Sequence, residues 1–151
     1  MSANKEFLLN TPALLRTLDQ NQRPVWGKMT PQHLVEHLVG SWRISNGRAR
    51  VKCIFEGEEL EKRRAFIFSD VPYAKNITNP VMGDGLLPLR KTNLEAAIVQ
   101  LEDEMNAFFE YFDKNPNVFE THPVFGELDY NGWLEFQHKH TSHHLSQYQL
   151  V

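Results

Sequence analysis

The segment from residue 92 to 116, TNLEAAIVQLEDEMNAFFEYFDKNP, most strongly limits what this chain can fold into. Its apolar side chains recur in alternating steps of four and three residues, which is the spacing of one buried face of an α-helix. Thr92 and Glu95 have the spacing of a capping box at its start, and Asn115 and Pro116 end it. The predicted buried face consists of Leu94, Ile98, Leu101, Met105, Phe108 and Phe112.

Two earlier helices are predicted from a shared start signal, a threonine that caps the helix and a proline in its first position. Thr11 and Pro12 are expected to begin the first helix, which carries a stripe of leucines. Thr30 and Pro31 are expected to begin the second. The Asn46–Gly47 pair, a favoured helix end, is expected to stop it.

The predicted fold is all-α: a four-helix bundle with a long crossover between helices two and three, built from one domain over residues 1–151. The last helix is expected from Asp129 to the end of the chain. Short connections predict that helices one and two, and helices three and four, are antiparallel neighbours. The crossover over residues 47–91 lets helices two and three run parallel. It is expected to hold a short strand or helical turn, followed by an ordered irregular loop over residues 70–91.

Charge and cysteine usage exclude several function classes. The formal net charge is -3 and the basic residues are spread along the chain, which gives no reason to expect a nucleic-acid partner. Cys53 is the single cysteine, so an internal disulfide is excluded and a reducing compartment is favoured. The first apolar run is too short for a signal peptide or a membrane span. We therefore expect a cytoplasmic protein with no membrane partner.

The closing segment HKHTSHHLSQYQL holds four of the seven histidines of the chain. His140 and His144 are four residues apart, which places them on one face of a helix with Cβ atoms roughly 5–6 Å apart. Both can then reach one metal ion. If helix two is a neighbour, His37 supplies a third nitrogen and leaves a coordination position open, as in catalytic sites. Gln32, Gln137 or a backbone carbonyl is expected to bond to the second ring nitrogens.

Other interpretations of the histidines stay open at this point. A pair at this spacing is also common on a solvated face or as a hydrogen-bonded pair in a core. His33 is a fourth ligand, a pocket wall or, as the safer interpretation, a capping residue. His122 is expected to fix the loop that leads into the last helix. His138 is expected at the surface, and His143 beside the ligands or exposed.

Two stretches, PVWGKMTPQHLVEHL and THPVFGELDYNGWLEFQHKHTSHHLSQY, resemble the DinB/YfiT-like superfamily, most closely its small bacterial members of uncharacterised function. The resemblance covers helices two to four. It implies a DinB-like bundle that binds a divalent ion, with zinc or nickel expected, through His37, His140 and His144. Relatives that act on low-molecular-weight thiols imply a thiol cofactor, and the superfamily often forms homodimers. The loop from Asp70 to Leu89 departs from the family pattern, so its contacts with a substrate stay unassigned.

The first functional hypothesis is a metal-dependent enzyme that activates a thiol or water against a small-molecule substrate. Glu36 and Glu135 are expected to face away from the histidines, which disfavours hydrolysis and favours thiol transfer. Arg90 and Lys91 either hold a carboxylate of a thiol or are a solvated helix start, the favoured interpretation. Tyr148 either donates a proton or, as favoured, packs in the core.

Two alternatives do not involve catalysis. One is a metal-stabilised bundle that acts as a dimeric binding or interaction module, for which the aromatic residues provide enough apolar surface. The other has no metal, with the histidines hydrogen-bonded in the core or serving as a pH switch. A pocket that reaches the histidines beside the 70–89 loop would distinguish the enzyme from the module.

Overall fold

A computed structural model describes residues 3–75 and 86–151 of the chain. The described residues are mostly helical, with one short two-stranded sheet, which confirms the all-α prediction. No helix in these two ranges is long and apolar enough to cross a membrane. In chain order the elements are α1 (Ala3–Leu15), α2 (Pro31–Ser45), α3 (Gly57–Ile67), α4 (Leu94–Lys114), β1 (Glu120–His122), β2 (Gly126–Leu128), α5 (Tyr130–Leu145) and a 3₁₀ turn (Ser146–Tyr148).

Helix α4 is the helix that the apolar spacing predicted, and its six apolar positions are all buried. Its cap differs from the prediction. Asn93, not Thr92, is the N-cap, and its side chain accepts a hydrogen bond from the Ala96 N–H at 2.8 Å. Glu95 pairs instead with Arg16, which directly follows α1. Asparagine and threonine both cap helices well, so the capping pattern alone does not choose between adjacent candidates. The helix ends at Asn115, as predicted.

Helix α1 begins before Thr11, and Pro12 lies inside it, so the predicted start was wrong. An interior proline has no N–H for the carbonyl four residues back and costs about 3 kcal/mol. Thr11 lies within the helix and donates its hydroxyl to the Phe7 carbonyl at 3.2 Å. Leu8 and Leu15, on either side of the proline, are fully buried. Burial stabilises each by about 1.5–3 kcal/mol, so core packing offsets the cost of the proline.

Helix α2 begins and ends where the sequence predicted. Thr30 Oγ1 accepts a hydrogen bond from the His33 N–H at 3.2 Å, and Pro31 is the first helical residue. Asn46 is the C-cap, and Gly47 follows it with φ of +80°. Glycine adopts this left-handed conformation without steric strain, which explains why the helix stops there.

Helices α2 and α4 run parallel, as the long connection allowed. Gln32 near the start of α2 donates to the Lys91 carbonyl just before α4, at 2.8 Å. Asn46 at the end of α2 donates to the Glu104 carbonyl, midway along α4, at 3.0 Å. Both contacts advance in the same direction along the two helices. The connection from α2 to α4 is therefore a crossover between parallel helices.

The helices of the bundle follow the cyclic order α1, α4, α2, α5. Within the described part of the chain, α1 and α2 share no extensive contact, nor do α4 and α5. The prediction that these pairs are neighbours was therefore wrong, because each pair lies across a diagonal of the bundle. The reason is the crossover, which inserts α4 between α1 and α2. The same arrangement makes α2 and α5 neighbours, as a shared metal site requires.

The crossover carries α3, an 11-residue helix where a short strand or helical turn was expected. Lys139 of α5 holds the end of α3, because its Nζ donates to the Ser69 carbonyl at 2.9 Å. Residues 71–75 and 86–91 form neither helix nor strand, as predicted for the irregular loop. Residues 76–85 of that predicted loop lie outside the described residues.

A short hairpin before α5 was not predicted. Strands β1 and β2 are antiparallel, with His122 opposite Gly126, and each is only three residues long. Such strands are too short to show an alternating pattern. His122 Nδ1 accepts hydrogen bonds from the N–H groups of Val124 and Phe125, at 3.0 and 3.2 Å. His122 therefore fixes the turn that leads into α5, the role expected from the sequence.

Candidate metal centre

The three histidines singled out in the sequence lie together between α2 and α5. His37 comes from α2, and His140 and His144 come from successive turns of α5. One ring nitrogen from each lies within 4.8 Å of the other two. His37 Nε2 is 2.9 Å from His140 Nε2. These three residues are called the histidine cluster below. Their proximity is a feature of the fold, and their role as metal ligands stays a prediction.

Buried polar side chains set the register that brings the cluster together. Ser41 Oγ donates to Gln137 Oε1 at 3.1 Å, and Gln137 Nε2 donates to Ser45 Oγ at 3.4 Å. All three residues are buried. The serine hydroxyls also donate to carbonyls of α2, but a sliding of α5 along α2 would leave the buried amide of Gln137 without these partners, which is costly. The bonds therefore hold the turn of α2 that carries His37 against the turn of α5 that carries His140.

The second ring nitrogens have different surroundings from those predicted. Gln137 bonds to the serines and Gln32 bonds to Glu36 and to a backbone carbonyl, so neither orients an imidazole. His144 Nδ1 instead lies 2.8 Å from Gln147 Oε1. An amide oxygen only accepts, so Nδ1 carries the proton and Nε2 keeps its lone pair. Gln147 follows His144 by three residues, and this helical spacing could have identified it as the partner from the sequence.

The loop before α2 leaves room for Gln147. Gly27 has φ of +83°, and a Cβ added there would overlap Gln147 Nε2. The Val25 N–H also donates to the Gln147 carbonyl at 2.7 Å. Gln147 is therefore held from both its side chain and its backbone, which orients the ring of His144.

Burial keeps the cluster in its neutral form. It lowers the pKa of His37 to about 4 and that of His144 to about 3, and nearby histidines add repulsion. Burial also holds the pKa of His140 well below its ordinary value, again with repulsion from His144 and His37. Neutral imidazoles present the lone pairs that a metal ion requires.

Aromatic rings surround His140. Phe136 stacks on it with ring centroids 5.0 Å apart, and Tyr73 from the crossover lies at 6.2 Å. The hydroxyl of Tyr73 lies in a buried environment that raises its pKa. Among the described residues His140 Nδ1 is buried without a hydrogen-bond partner. A buried polar atom without a partner is costly and requires an explanation, such as a catalytic role or a bound ion or water.

The remaining histidines lie outside the cluster. His33 belongs to the helix cap, since its Nδ1 is 2.7 Å from Thr30 Oγ1, and it also lines the cavity described next. His143 is half-buried beside the cluster, where its ring meets Trp26 at 4.9 Å. His138 is half-buried too and packs on Phe7 of α1 rather than lying free at the surface.

A cavity of about 390 Å³ opens beside His37. It lies against the start of α2 and the last described part of the crossover, on the side where a substrate pocket was expected. Its size is at the small end of the range for ligand pockets, about 300–1,000 Å³. It is lined by Met29, His33, Glu36, His37, Gly40, Leu86, Leu87, Pro88, Leu89 and Arg90.

Glu36 does line the cavity, although the sequence placed it away from the site. Its buried carboxylate accepts from the backbone N–H groups of Arg90 and Lys91, at 2.7 and 3.1 Å, and from Gln32 at 2.9 Å. Burial alone would raise the pKa of Glu36, but these hydrogen bonds outweigh it and lower that pKa. Glu36 is thus an anchor for the crossover. Glu135 lies elsewhere, where it accepts from an asparagine of α1.

Tyr148 contributes to packing, as favoured from the sequence. Its ring is buried, and its hydroxyl donates to the Met29 carbonyl at 2.8 Å. Burial raises the pKa of Tyr148 to about 12, so it holds its proton at neutral pH. The residue ties the end of the chain to the loop before α2.

The family model of the DinB superfamily matches residues 10–148 of the chain. The match spans nearly the whole sequence, including all three members of the histidine cluster. The chain therefore belongs to the DinB superfamily. Neither a comparison with curated proteins nor one with solved structures found a match.

Proposed function

We propose that this protein is a divalent-metal-dependent enzyme whose ion is held by His37, His140 and His144. The observation that carries the proposal is the convergence of three neutral imidazoles beside an open cavity. Superfamily membership is compatible with it. A structural metal site is usually closed by four protein ligands, whereas three ligands next to a cavity are typical of a catalytic site.

The chemistry of the donor set fits a first-row divalent ion. Nitrogen ligands suit zinc and nickel, and both are proposed here. In the orientation found for Gln147, the Nε2 atom of His144 is left free to bind. His37 and His140 already direct their Nε2 atoms toward each other. Coordination to a bound ion would also give the buried lone pairs of these rings a partner.

Thiol transfer is the proposed reaction, and hydrolysis is the alternative. A bound ion would lower the pKa of a thiol or water and so supply a nucleophile at neutral pH. Glu36 is the one carboxylate among the described lining residues, and its oxygens already accept four hydrogen bonds. It is poorly placed to take a proton from water. A thiol needs no such base, which favours a low-molecular-weight thiol as the second cofactor.

The non-catalytic alternative, a metal-stabilised dimeric interaction module, is less well supported because it needs no cavity at the histidines. A homodimer and a cytoplasmic location stay predictions. A small-molecule substrate is part of the proposal, and its chemistry is addressed in the next subsection.

The decisive experiment is metal analysis of untagged protein. Purified without added metal, the parent should carry close to one divalent ion per chain by plasma mass spectrometry. His37→Ala, His140→Ala and His144→Ala should each lower the affinity for zinc by more than about 100-fold, because each removes a ligand rather than a supporting group.

His138→Ala is the matched control, since it removes a histidine of α5 that packs on α1 instead. It should bind metal like the parent. Should the parent fail to bind added zinc or nickel, or should the control lose metal as fully as the cluster variants, the proposed function is wrong.

A further inference from the structure

The cavity beside His37 has a stretch of wall without a side chain, at Gly40. This residue lies in α2, one turn after His37, and lines the cavity. Glycine inside a helix is less stable than alanine, because it loses more conformational freedom on folding. The usual reasons for a glycine do not apply here. Gly40 has no positive φ, and a Cβ added there would meet no described atom within 4 Å. The effect of the glycine is to leave space beside the histidine cluster.

Apolar side chains form the opposite wall of that space. Leu86, Leu87 and Leu89 retain 43%, 57% and 44% of their surface exposed, which is unusual for three leucines in four residues. Met29 and Pro88 continue the same apolar lining. Removing such surface from water is favourable, so the cavity favours a ligand with an apolar body.

The polar lining residues are already engaged with the protein. The Glu36 carboxylate accepts from Gln32, Arg90 and Lys91. Arg90 also donates to the Glu36 carbonyl at 3.2 Å. His33 Nδ1 is engaged with the helix cap. The Arg90 side chain is 52% exposed and so is only partly engaged, but the lining offers few other free polar groups to a sugar or a highly charged ligand. His37 is the member of the histidine cluster that lines the cavity.

We propose that this cavity binds the alkyl or aryl body of a small substrate and that Gly40 determines how long a body fits. The reacting group of the substrate lies at the histidine cluster. That last part rests on the proposed function, whereas the apolar subsite does not require a metal. Gly40 is thus a specificity-determining residue rather than a catalytic one.

Straight-chain 1-alkanols from butanol to decanol test the subsite. Binding to metal-free and to zinc-loaded protein would be followed by NMR of labelled leucine methyl groups. Affinity should rise about fourfold per methylene until the cavity is full. The responding methyl groups should be those of Leu86, Leu87 and Leu89.

In Gly40→Leu the gain in affinity per methylene should stop at a shorter alkanol than in the parent. Gly40→Ala should have a smaller effect in the same direction. Ala65→Leu is the matched control, since Ala65 is an exposed residue of α3 outside the lining. It should bind like the parent. Leu89→Ala enlarges the cavity and should extend the series, which keeps the test decisive if Gly40→Leu fails to fold.

A series with no dependence on chain length would overturn the inference, as would a folded Gly40→Leu with an unchanged preference. The two proposals can fail separately. If alkanol affinity rises with chain length but the protein binds no metal, only the proposed function is wrong. If the protein binds metal but alkanol affinity does not depend on chain length, only the proposed subsite is wrong.

Discussion

The surroundings of the two halves of helix α2 differ in how completely the buried polar atoms are satisfied. At the C-terminal end, Ser41, Ser45 and Asn46 are buried, and each bonds to a neighbouring helix. Toward the N-terminal end, His37 opens on a cavity, and His140 opposite it has a buried nitrogen without a partner among the described residues. The first end holds the bundle together. The second, where Gln32 and Glu36 are also bonded, holds the histidine cluster beside the cavity.

Two buried carboxylates show the same difference. Glu104 of α4 pairs with Arg43 and Arg48 at 3.3 and 2.7 Å, so it joins helix to helix. Glu36 of α2 binds the backbone N–H groups of Arg90 and Lys91, so it joins a helix to the rim of the cavity. Similar chemistry supports the fold at one end and shapes a site at the other.

The largest expected effect is a loss of stability in acid, because the buried histidines lie in the half of the molecule that opens on the cavity. Below about pH 6.5 the histidines take up protons in the unfolded chain, while the folded pKa values of His37 and His144 are about 4 and 3. The stability of the metal-free protein is therefore full above pH 6.5 and falls as the pH drops toward 4. Each such histidine contributes up to about 1.4 kcal/mol per pH unit. Urea unfolding at pH 7, 6 and 5 measures the loss.

His122→Asn provides the control for the acid prediction. Burial lowers the pKa of His122 to about 3, and an asparagine oxygen can accept the same N–H groups. The variant should lose about 2 kcal/mol less than the parent between pH 7 and 5. Equal pH dependence in the two proteins would show that His122 is not buried in its neutral form.

Removing Glu104 should have the next largest effect. Glu104→Ala leaves Arg43, Arg48 and Asn46 without their carboxylate, and we expect a loss of about 2 kcal/mol in the free energy of unfolding. The arginines are partly exposed, which keeps the loss below that of a fully buried pair. Asp103→Ala, beside it at the surface, should change stability by less than about 0.5 kcal/mol. Similar losses in both variants would contradict the distinction.

Gln147→Ala should weaken metal binding more than it weakens the stability of the metal-free protein. The affinity for zinc should fall about 10–100-fold, because the ring of His144 loses the group that orients it. The stability of the metal-free protein should fall by less, about 1 kcal/mol. Calorimetric titration and thermal unfolding give the two numbers. Gln149→Ala, an exposed neighbour, should change neither.

Gly40→Ala should have the smallest effect, and its sign is the informative part. Alanine should stabilise the helix by about 0.5–1 kcal/mol, since no described atom opposes a Cβ there. A loss of stability would mean that Gly40 is required for packing rather than for the cavity.

Much of the fold was predictable because apolar residues recur in the sequence at the helical period along a long helix. The apolar steps of α4, the Thr-Pro start of α2 and the Asn-Gly end were each sufficient for their element. The first helix was misplaced because Pro12 resembles a helix start, while the burial of Leu8 and Leu15 decides in favour of an interior proline. The predicted neighbours were wrong because a short loop makes two helices antiparallel but does not require them to be in contact.

The site was predictable where it depends on spacing and unpredictable where it depends on tertiary contacts. His140 and His144 are on one face in any α-helix, and His37 follows once α2 and α5 are neighbours. Glu36 was misassigned because its partners lie more than 50 residues away, at Arg90 and Lys91. Gln147 was missed because the final turn was not expected to support a ligand.

The parallel packing of α2 and α4 has a consequence for how such a protein can diversify. Parallel neighbours require a returning chain, and here the end of that return, residues 86–90, also forms a wall of the cavity. The histidines belong to the helices, whereas this wall belongs to the connection. Under the proposed subsite, replacing Leu86, Leu87 or Leu89 would change the fit of a ligand without changing the residues that form the bundle core. Within the proposed subsite, Gly40 belongs to a bundle helix, whereas the leucines of the facing wall belong to the connection.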